Sequence, residues 1–332
     1  MELIARSLAS SGQRTLWIVC PVFYDVESFL RLRAAVQLAL TVVDFPLPDR
    51  LRFVVIDDTA GQDPDLVRLE DRPDVTILQT PFNLGHQHAL VFGLRSLARE
   101  IDERDWIATL DADGEDQPSD LGRLLKALSG TPGDAGLVLA RRTKRREPLW
   151  FKILYCGFRV MFRALTGTVI QSGNYAAFHG ELAKRLLFHP AFDLSYASAF
   201  LSLNRPVVFV PCDRGTRYAG QSKMGLARLI THGVGMLMPF VDRIAARALI
   251  GFAIVFITGV SAATVLAVVR WSSAIVIPGW MTPTLLLILM MSFSALTSFL
   301  ILFTVFAQSG ALSLRGLHDV AARRVQAHID EH

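Results

Sequence analysis

Charge and cysteine are both scarce in this sequence. Only 19% of its 332 residues are Asp, Glu, Lys or Arg, against about 25% in an ordinary soluble domain. Hydrophobic residues make up 52% and the mean hydropathy is +0.38, which excludes a disordered chain and implicates a membrane. The three cysteines, Cys20, Cys156 and Cys212, are odd in number and form no CxxC pair, so neither a disulfide framework nor a zinc knuckle is expected and a reducing compartment fits. An excess of one charge sign is missing too. With 34 Lys and Arg against 30 Asp and Glu the net charge is +4, which suits an anionic membrane face or phosphate-bearing substrates and excludes dedicated nucleic-acid binding. Residues 16–23 are too short an apolar run for a secretory signal and lack a small-residue cleavage site after them, so the N-terminal half is expected in the cytoplasm.

Several motifs are absent. There is no GxGxxG, and the stretch from Gly220 to Gly225 lacks the Lys-Ser/Thr of a P-loop. Without a GxSxG elbow, a HExxH helix or a credible catalytic cysteine, hydrolase chemistry is unsupported, and His86, His88, His179, His189 and His232 are expected to be structural or surface residues.

What is present divides the chain. Residues 248–269 form a charge-free run of 22 between Arg247 and Arg270, about 33 Å long as a helix against a hydrocarbon core of about 30 Å. A second apolar run, 284–307, follows the breakers Pro278, Gly279 and Pro283. Arginines stand outside this hairpin (Arg228, Arg243 and Arg247 before it, Arg315, Arg323 and Arg324 after it), which predicts cytoplasmic termini. Residues 225–247 read as an amphipathic juxtamembrane segment, suited either to the membrane interface or to packing on the preceding domain. The expected order is a cytoplasmic domain over 1–224, the juxtamembrane segment, spans at 248–269 and 284–307, and a cytoplasmic tail over 308–332.

Residues 1–224 alternate short apolar strands (16–22, 52–56, 75–78, 106–110, 137–140, 207–210) with helices near 28–40, 86–99 and 120–128, an α/β pattern. Such sheets bind ligands at the carboxyl ends of their strands. Those ends carry acid: Asp25 and Glu27 after the first, Asp57 and Asp58 after the second, and Asp111, Asp113, Glu115 and Asp116 after the fourth. Four carboxylates within six residues call for a cation, and hard oxygens select Mg²⁺ or Mn²⁺. An EF-hand would need Gly at 116 and Glu at 122, where Asp116 and Gly122 stand. Residues 83–86 open a helix whose free N–H groups could take a phosphate or a base carbonyl. Basic residues gather at Arg141, Arg142, Lys144, Arg145 and Arg146, and again at Arg214, Arg217 and Lys223 with Ser222 between them, as anion or anionic-lipid sites.

The order of these motifs resembles a known family. Pro21-Val-Phe, Val54-Val-Ile-Asp57-Asp58, Asn83-Leu-Gly85, Leu110-Asp111-Ala-Asp113, Arg142-x-x-Arg145-x-Glu147 and Arg217-x-x-Gly220-x-Ser222-Lys223, followed by two spans, look like family 2 glycosyltransferases of the polyprenyl-phosphate type. That resemblance implies a Rossmann-like GT-A fold, a nucleotide-sugar donor such as a UDP-hexose, a polyprenyl phosphate acceptor, contact with membrane lipid and a homo-oligomer such as a tetramer. By the same resemblance Asp111, Asp113 and Glu115 hold the metal, while Pro21, Asp25, Asp57, Asn83 and Asp111 bind the donor nucleotide. Arg142, Arg145, Arg217, Ser222 and Lys223 are assigned to the acceptor phosphate, and Asp113, Asp116, Arg217 and Lys223 to the chemistry of an inverting transfer. Phe23-Tyr24-Asp25 replaces the relatives' Tyr-Asn-Glu, Thr59-Ala60 their Gly-Ser, and Ser172 to Ala176 stands at their Asp-Phe-Arg, so the sugar stays open. An inactive GT-A scaffold and a processive polysaccharide synthase are the alternatives; the second lacks a QxxRW motif and enough spans.

Overall fold

A computed structural model describes residues 13–132, 136–142, 149–218, 226–272, 279, 282–301 and 304–305. The chain divides into two compact units, Met1–Val160 with Thr168–Pro239 and Met161–Gly167 with Phe240–His332.

The first unit is built on a mixed α/β sheet of seven strands. Its strands are β1 (Thr15–Val22), β2 (Arg50–Asp57), β3 (Val75–Gln79), β4 (Trp106–Thr109), β5 (Leu137–Arg142), β6 (Ser172–His179) and β7 (Val208–Cys212), in the order β3-β2-β1-β4-β6-β5-β7. β1, β2, β3 and β4 run parallel, as do β5 and β7, whereas β6 lies antiparallel between β4 and β5. This strand was absent from the sequence expectation. Its direction matters, because it brings the start of β6 to the edge where β4 and β5 end. Helix α1 (Val26–Thr41), the short α2 (Val67–Glu70), α3 (His86–Ser96) and α4 (Pro118–Ser129) connect the parallel strands.

Val- and Ile-rich strands bury both faces, as parallel strands require. Ile18, Cys20, Phe53 and Val55 pack with Phe29 and Leu32 of α1 and Leu124 of α4 in one cluster. From the alternate register Ile56 meets α3, and the contact is close: a Cβ on Gly93 would lie 2.4 Å from Ile56 Cδ1. At the amino ends of β1 and β4, buried Asp105 accepts hydrogen bonds from Thr15 N (2.8 Å), Trp17 Nε1 (2.9 Å) and Asp102 N (2.9 Å), pinning the edge opposite the site. Helices α5 (Leu149–Thr166), α6 (Gly180–Leu186), α7 (Ala191–Leu194), α8 (Tyr196–Ser202) and α9 (Leu226–Leu237) complete the helical complement of this region. The last of these coincides with the expected juxtamembrane helix.

In the second unit the end of α5 packs on the segment preceding α10 (Val241–Ser272): Phe162 and Phe240 meet edge to face at 5.3 Å, and Arg247 Nη1 donates to Ala164 O at 2.6 Å. Helix α11 (Thr282–Ile301) returns along α10, and a Cβ on Gly259 would lie 2.9 Å from Ser292 Oγ. Small residues at such a crossing let helix backbones approach. The helical stretches Thr231–Val269 and Thr282–Ile301 are each long and apolar enough to cross a membrane. Ile250, Ile257, Val265, Leu289, Met290 and Phe293 all expose more than half of their surface. The expected tail 308–332 and the last residues of the expected second span, 306–307, lie outside the described residues.

Candidate active site

The loop after β4 is built by its own acids. Asp111 N donates to Asp116 Oδ2 at 3.1 Å and Glu115 N to Asp113 Oδ1 at 2.9 Å, so two carboxylates fold the turn that displays the others. Gly114 takes φ +86°, and the Tyr218 ring lies where its Cβ would be, at 2.9 Å. The segment after β7 runs alongside: Gly215 N donates to Glu115 O and Tyr218 N to Asp113 O, both at 2.8 Å, and Asp116 and Arg214 form an antiparallel bridge. Antiparallel β6 delivers Asn174 to the same place, where its backbone carbonyl accepts Thr109 Oγ1 at 2.6 Å.

Cationic and amide groups converge on this loop. His86 Nε2 lies 2.7 Å from Asp111 Oδ1, and Asn174 Nδ2 donates to the same oxygen at 3.4 Å. Arg217 spans Asp113 Oδ2 (3.1 Å) and Glu115 Oε1 (2.8 Å), Arg214 pairs with Glu115 Oε2, and Arg142 Nη2 stands 3.4 Å from Asp116 Oδ1. These contacts set the titration. Burial raises the Asp111 pKa, but His86, then Arg142 and Asn174, hold it well below the usual carboxylate range. Conversely, burial would lower His86, yet Asp111 beside it, with Asp116 and Asp113 further off, carries it above its ordinary value. Asp113 is raised by burial and by Asp111. For Asp116, enclosed at 4% exposure, burial and then Asp111 push the pKa up to about 7. In Glu115 burial is overcome by Arg217 and Arg214, which lower it.

The expected residues are thus unequally placed. Asp111, Asp113, Glu115, Asp116, Arg142 and Arg217 come together, while Arg145, Ser222 and Lys223 lie outside the described residues. Pro21 is buried at the end of β1, Asp25 is half-buried at the start of α1, and Asn83 is exposed before α3. Two expected binding groups already have partners within the chain. Asp57, expected to meet the nucleotide, is not bare: it is 1% exposed and accepts from Thr59 N (2.9 Å), Thr59 Oγ1 (2.5 Å) and Gly61 N (2.7 Å), which ties down the loop that follows β2. Nor are all the N–H groups of 83–86 free: Leu84 N and Gly85 N donate to Asp58 Oδ1 (2.7 Å) and Oδ2 (2.9 Å). A carboxylate already occupies the anion position. Sequence reasoning also set His86 among the structural histidines and passed over Asn174; a histidine at the first turn of a helix on the carboxyl edge was the available signal for the first.

Residues 26–187, just under half of the chain, match the model of Glycosyl transferase family 2. The chain carries a family 2 glycosyltransferase domain. Its acid loop, Asp58 clamp, α3 and the start of β6 fall inside the matched residues, while Arg214, Arg217 and Tyr218 lie after them. No curated protein matches the chain. Among solved structures, glucosyl-3-phosphoglycerate synthase from Mycobacterium tuberculosis in complex with Mn²⁺, UDP and glucosyl-3-phosphoglycerate is 18% identical, with 71% of this chain and 81% of that one covered and a TM-score of 0.44. A mycobacterial protein is 19% identical over 71% of this chain and 76% of its own, with a TM-score of 0.47. A 4-diphosphocytidyl-2C-methyl-D-erythritol synthase is 13% identical, covering 68% and 99%, with a TM-score of 0.39.

Proposed function

We propose that this glycosyltransferase moves a sugar from a nucleotide diphosphate-sugar to the phosphate of a membrane polyprenol. The observation that carries the reading is the acid loop at the carboxyl edge of the sheet, where Asp111 and Asp113 stand among Arg142, Arg214 and Arg217. Such a site pairs a place for a divalent cation with cations suited to a phosphate.

The donor set fits Mg²⁺ or Mn²⁺. Among the described residues no group of three His, Cys, Asp or Glu is placed to cage an ion, so an ion here would be held by one or two carboxylates and completed by substrate phosphates. Asp111 and Asp113 would hold it, while Glu115 is engaged by two arginines. Bound there, a divalent cation supplies stabilisation of the charge developing on the departing nucleotide diphosphate. Arg217, which spans Asp113 and Glu115, would orient the acceptor phosphate beside the loop, and Arg142 would keep Asp116 in place. A phosphate monoester is anionic near pH 7 and attacks without a strong general base, and direct displacement inverts the anomeric carbon.

The two exposed apolar helices support a lipid acceptor, since a polyprenol tail stays in the bilayer and its enzyme must stay beside it. In this reading α9 lies at the interface, α10 and α11 cross, and both termini face the cytoplasm. Membranes bearing the protein, incubated with radiolabelled nucleotide sugars and either polyprenyl phosphate or a water-soluble phosphate acceptor, test the reading. Label extractable into organic solvent supports it; label found only on the soluble acceptor refutes the lipid assignment. A reporter inserted near Pro278 should read the outside and one after His332 the cytoplasm; the same side for both refutes the hairpin.

A further inference from the structure

We infer that His86 and Asn174 are positioning residues for the metal carboxylate, together holding one oxygen of Asp111 so that the other is presented to the cation. This rests on the reading of Asp111 and Asp113 as the cation's ligands. The geometry is one-sided: both side-chain donors, His86 Nε2 at 2.7 Å and Asn174 Nδ2 at 3.4 Å, converge on Oδ1. A carboxylate with one oxygen tied down has a fixed rotation about its Cβ–Cγ bond. Its remaining oxygen then points in one direction, and partners of this outer kind commonly change metal affinity ten- to a hundredfold when removed.

Each donor is itself held in place by the surrounding fold. Asp58 accepts from Leu84 N and Gly85 N, and Gly85 adopts φ +78°, so the chain turns sharply and delivers His86 as the first residue of α3. Close packing of Gly93 on Ile56 draws that helix onto the sheet. On the other side, Thr109 Oγ1 donates to Asn174 O and lies 2.7 Å from Tyr196 OH, fixing the start of β6 against the end of β4. Asn174 Oδ1 is buried and has no hydrogen-bond partner among the described residues. Turning the amide over would set two oxygens face to face at Asp111, so the side chain keeps a costly unmet acceptor in order to keep its N–H on the carboxylate.

The test is Mn²⁺ affinity of the full chain in detergent, read from the electron paramagnetic resonance signal of free Mn²⁺ at fixed UDP. His86→Ala should weaken Mn²⁺ ten- to a hundredfold, His86→Gln should restore most of the loss because its amide can donate in the same place, and Asn174→Ala should cost a smaller factor. Arg99→Gln, exposed beyond the far end of the same helix, should change nothing. Thermal midpoints of all four should stay near that of the parent. If the parent protein binds Mn²⁺ but His86→Ala binds it equally or more tightly, His86 competes with the cation and this inference is overturned. If the parent binds no Mn²⁺, the metal reading of the acid loop fails first and takes the inference with it.

Discussion

Two aspartate pairs stand at the carboxyl ends of β2 and β4, the strands on either side of β1, and are held in different ways. After β2, Asp57 and Asp58 are buried, and their hydrogen-bond partners are backbone N–H groups and threonine hydroxyls of the chain's own loops. After β4, Asp111 and Asp113 have partners that are mostly side chains: His86, Asn174 and Arg217. Backbone donors cannot leave without undoing a loop, whereas a guanidinium can swing aside for a substrate. The first pair therefore holds loops, and on the function proposed above the second meets the substrates, though by residue type and strand position they look alike.

The sharpest test of that division is Asp113→Asn. It should reduce turnover a thousandfold or more, about 4 kcal/mol of transition-state stabilisation, while thermal unfolding of the protein barely moves. Asp58→Ala should do the reverse. It leaves the Leu84 and Gly85 N–H groups unmet, at roughly 1 to 3 kcal/mol each, and calorimetry should show a midpoint several degrees lower with residual turnover at low temperature. Full stability with no activity in Asp58→Ala would erase the distinction. Arg217→Ala should slow transfer about ten- to a hundredfold at limiting acceptor, as expected for one charge-assisted bond, with nucleotide-sugar affinity by calorimetry little changed. A collapse of that affinity would place Arg217 in the donor site instead. Smallest is Gly114→Ala, where a Cβ must accept φ +86° and push the Tyr218 ring away; roughly 1 to 2 kcal/mol of strain should appear as a few-fold loss in turnover that a second change, Tyr218→Ala, partly relieves.

Much of this was legible in the residues. The strands expected at 16–22 and 106–110 are found at Thr15–Val22 and Trp106–Thr109, because buried parallel strands announce themselves as short Val- and Ile-rich runs closed by turn residues. Strand β6 was not, since Ser172-Gly173-Asn174 is polar and small where a strand should start, and its place is set by pairing with β4 and β5 rather than by local preference. The acid loop could be read because its members lie within six residues. Asn174 could not: it lies 63 residues along the chain from Asp111, and the antiparallel return of β6 is what joins them. Separation along the chain also hid the partner of the 83–86 N–H groups, since Asp58 lies 26 and 27 residues upstream of Leu84 and Gly85.

The fit of Gly93 against Ile56 makes the core a ruler for the site. Seven residues separate Gly93 from His86 on α3, about 10 Å of helix at 1.5 Å per residue, so the helix acts as a rigid arm with its fulcrum in the hydrophobic layer and its tip at Asp111. One added methyl at the fulcrum must move the arm by a sizeable fraction of an ångström or more, since 2.4 Å is too close for two carbons. The tolerance of a hydrogen bond at the tip is of the same order. A purely apolar change two helical turns away can therefore detune a polar contact, and side-chain volume at position 93 is as much a part of the site's specification as the imidazole it aims.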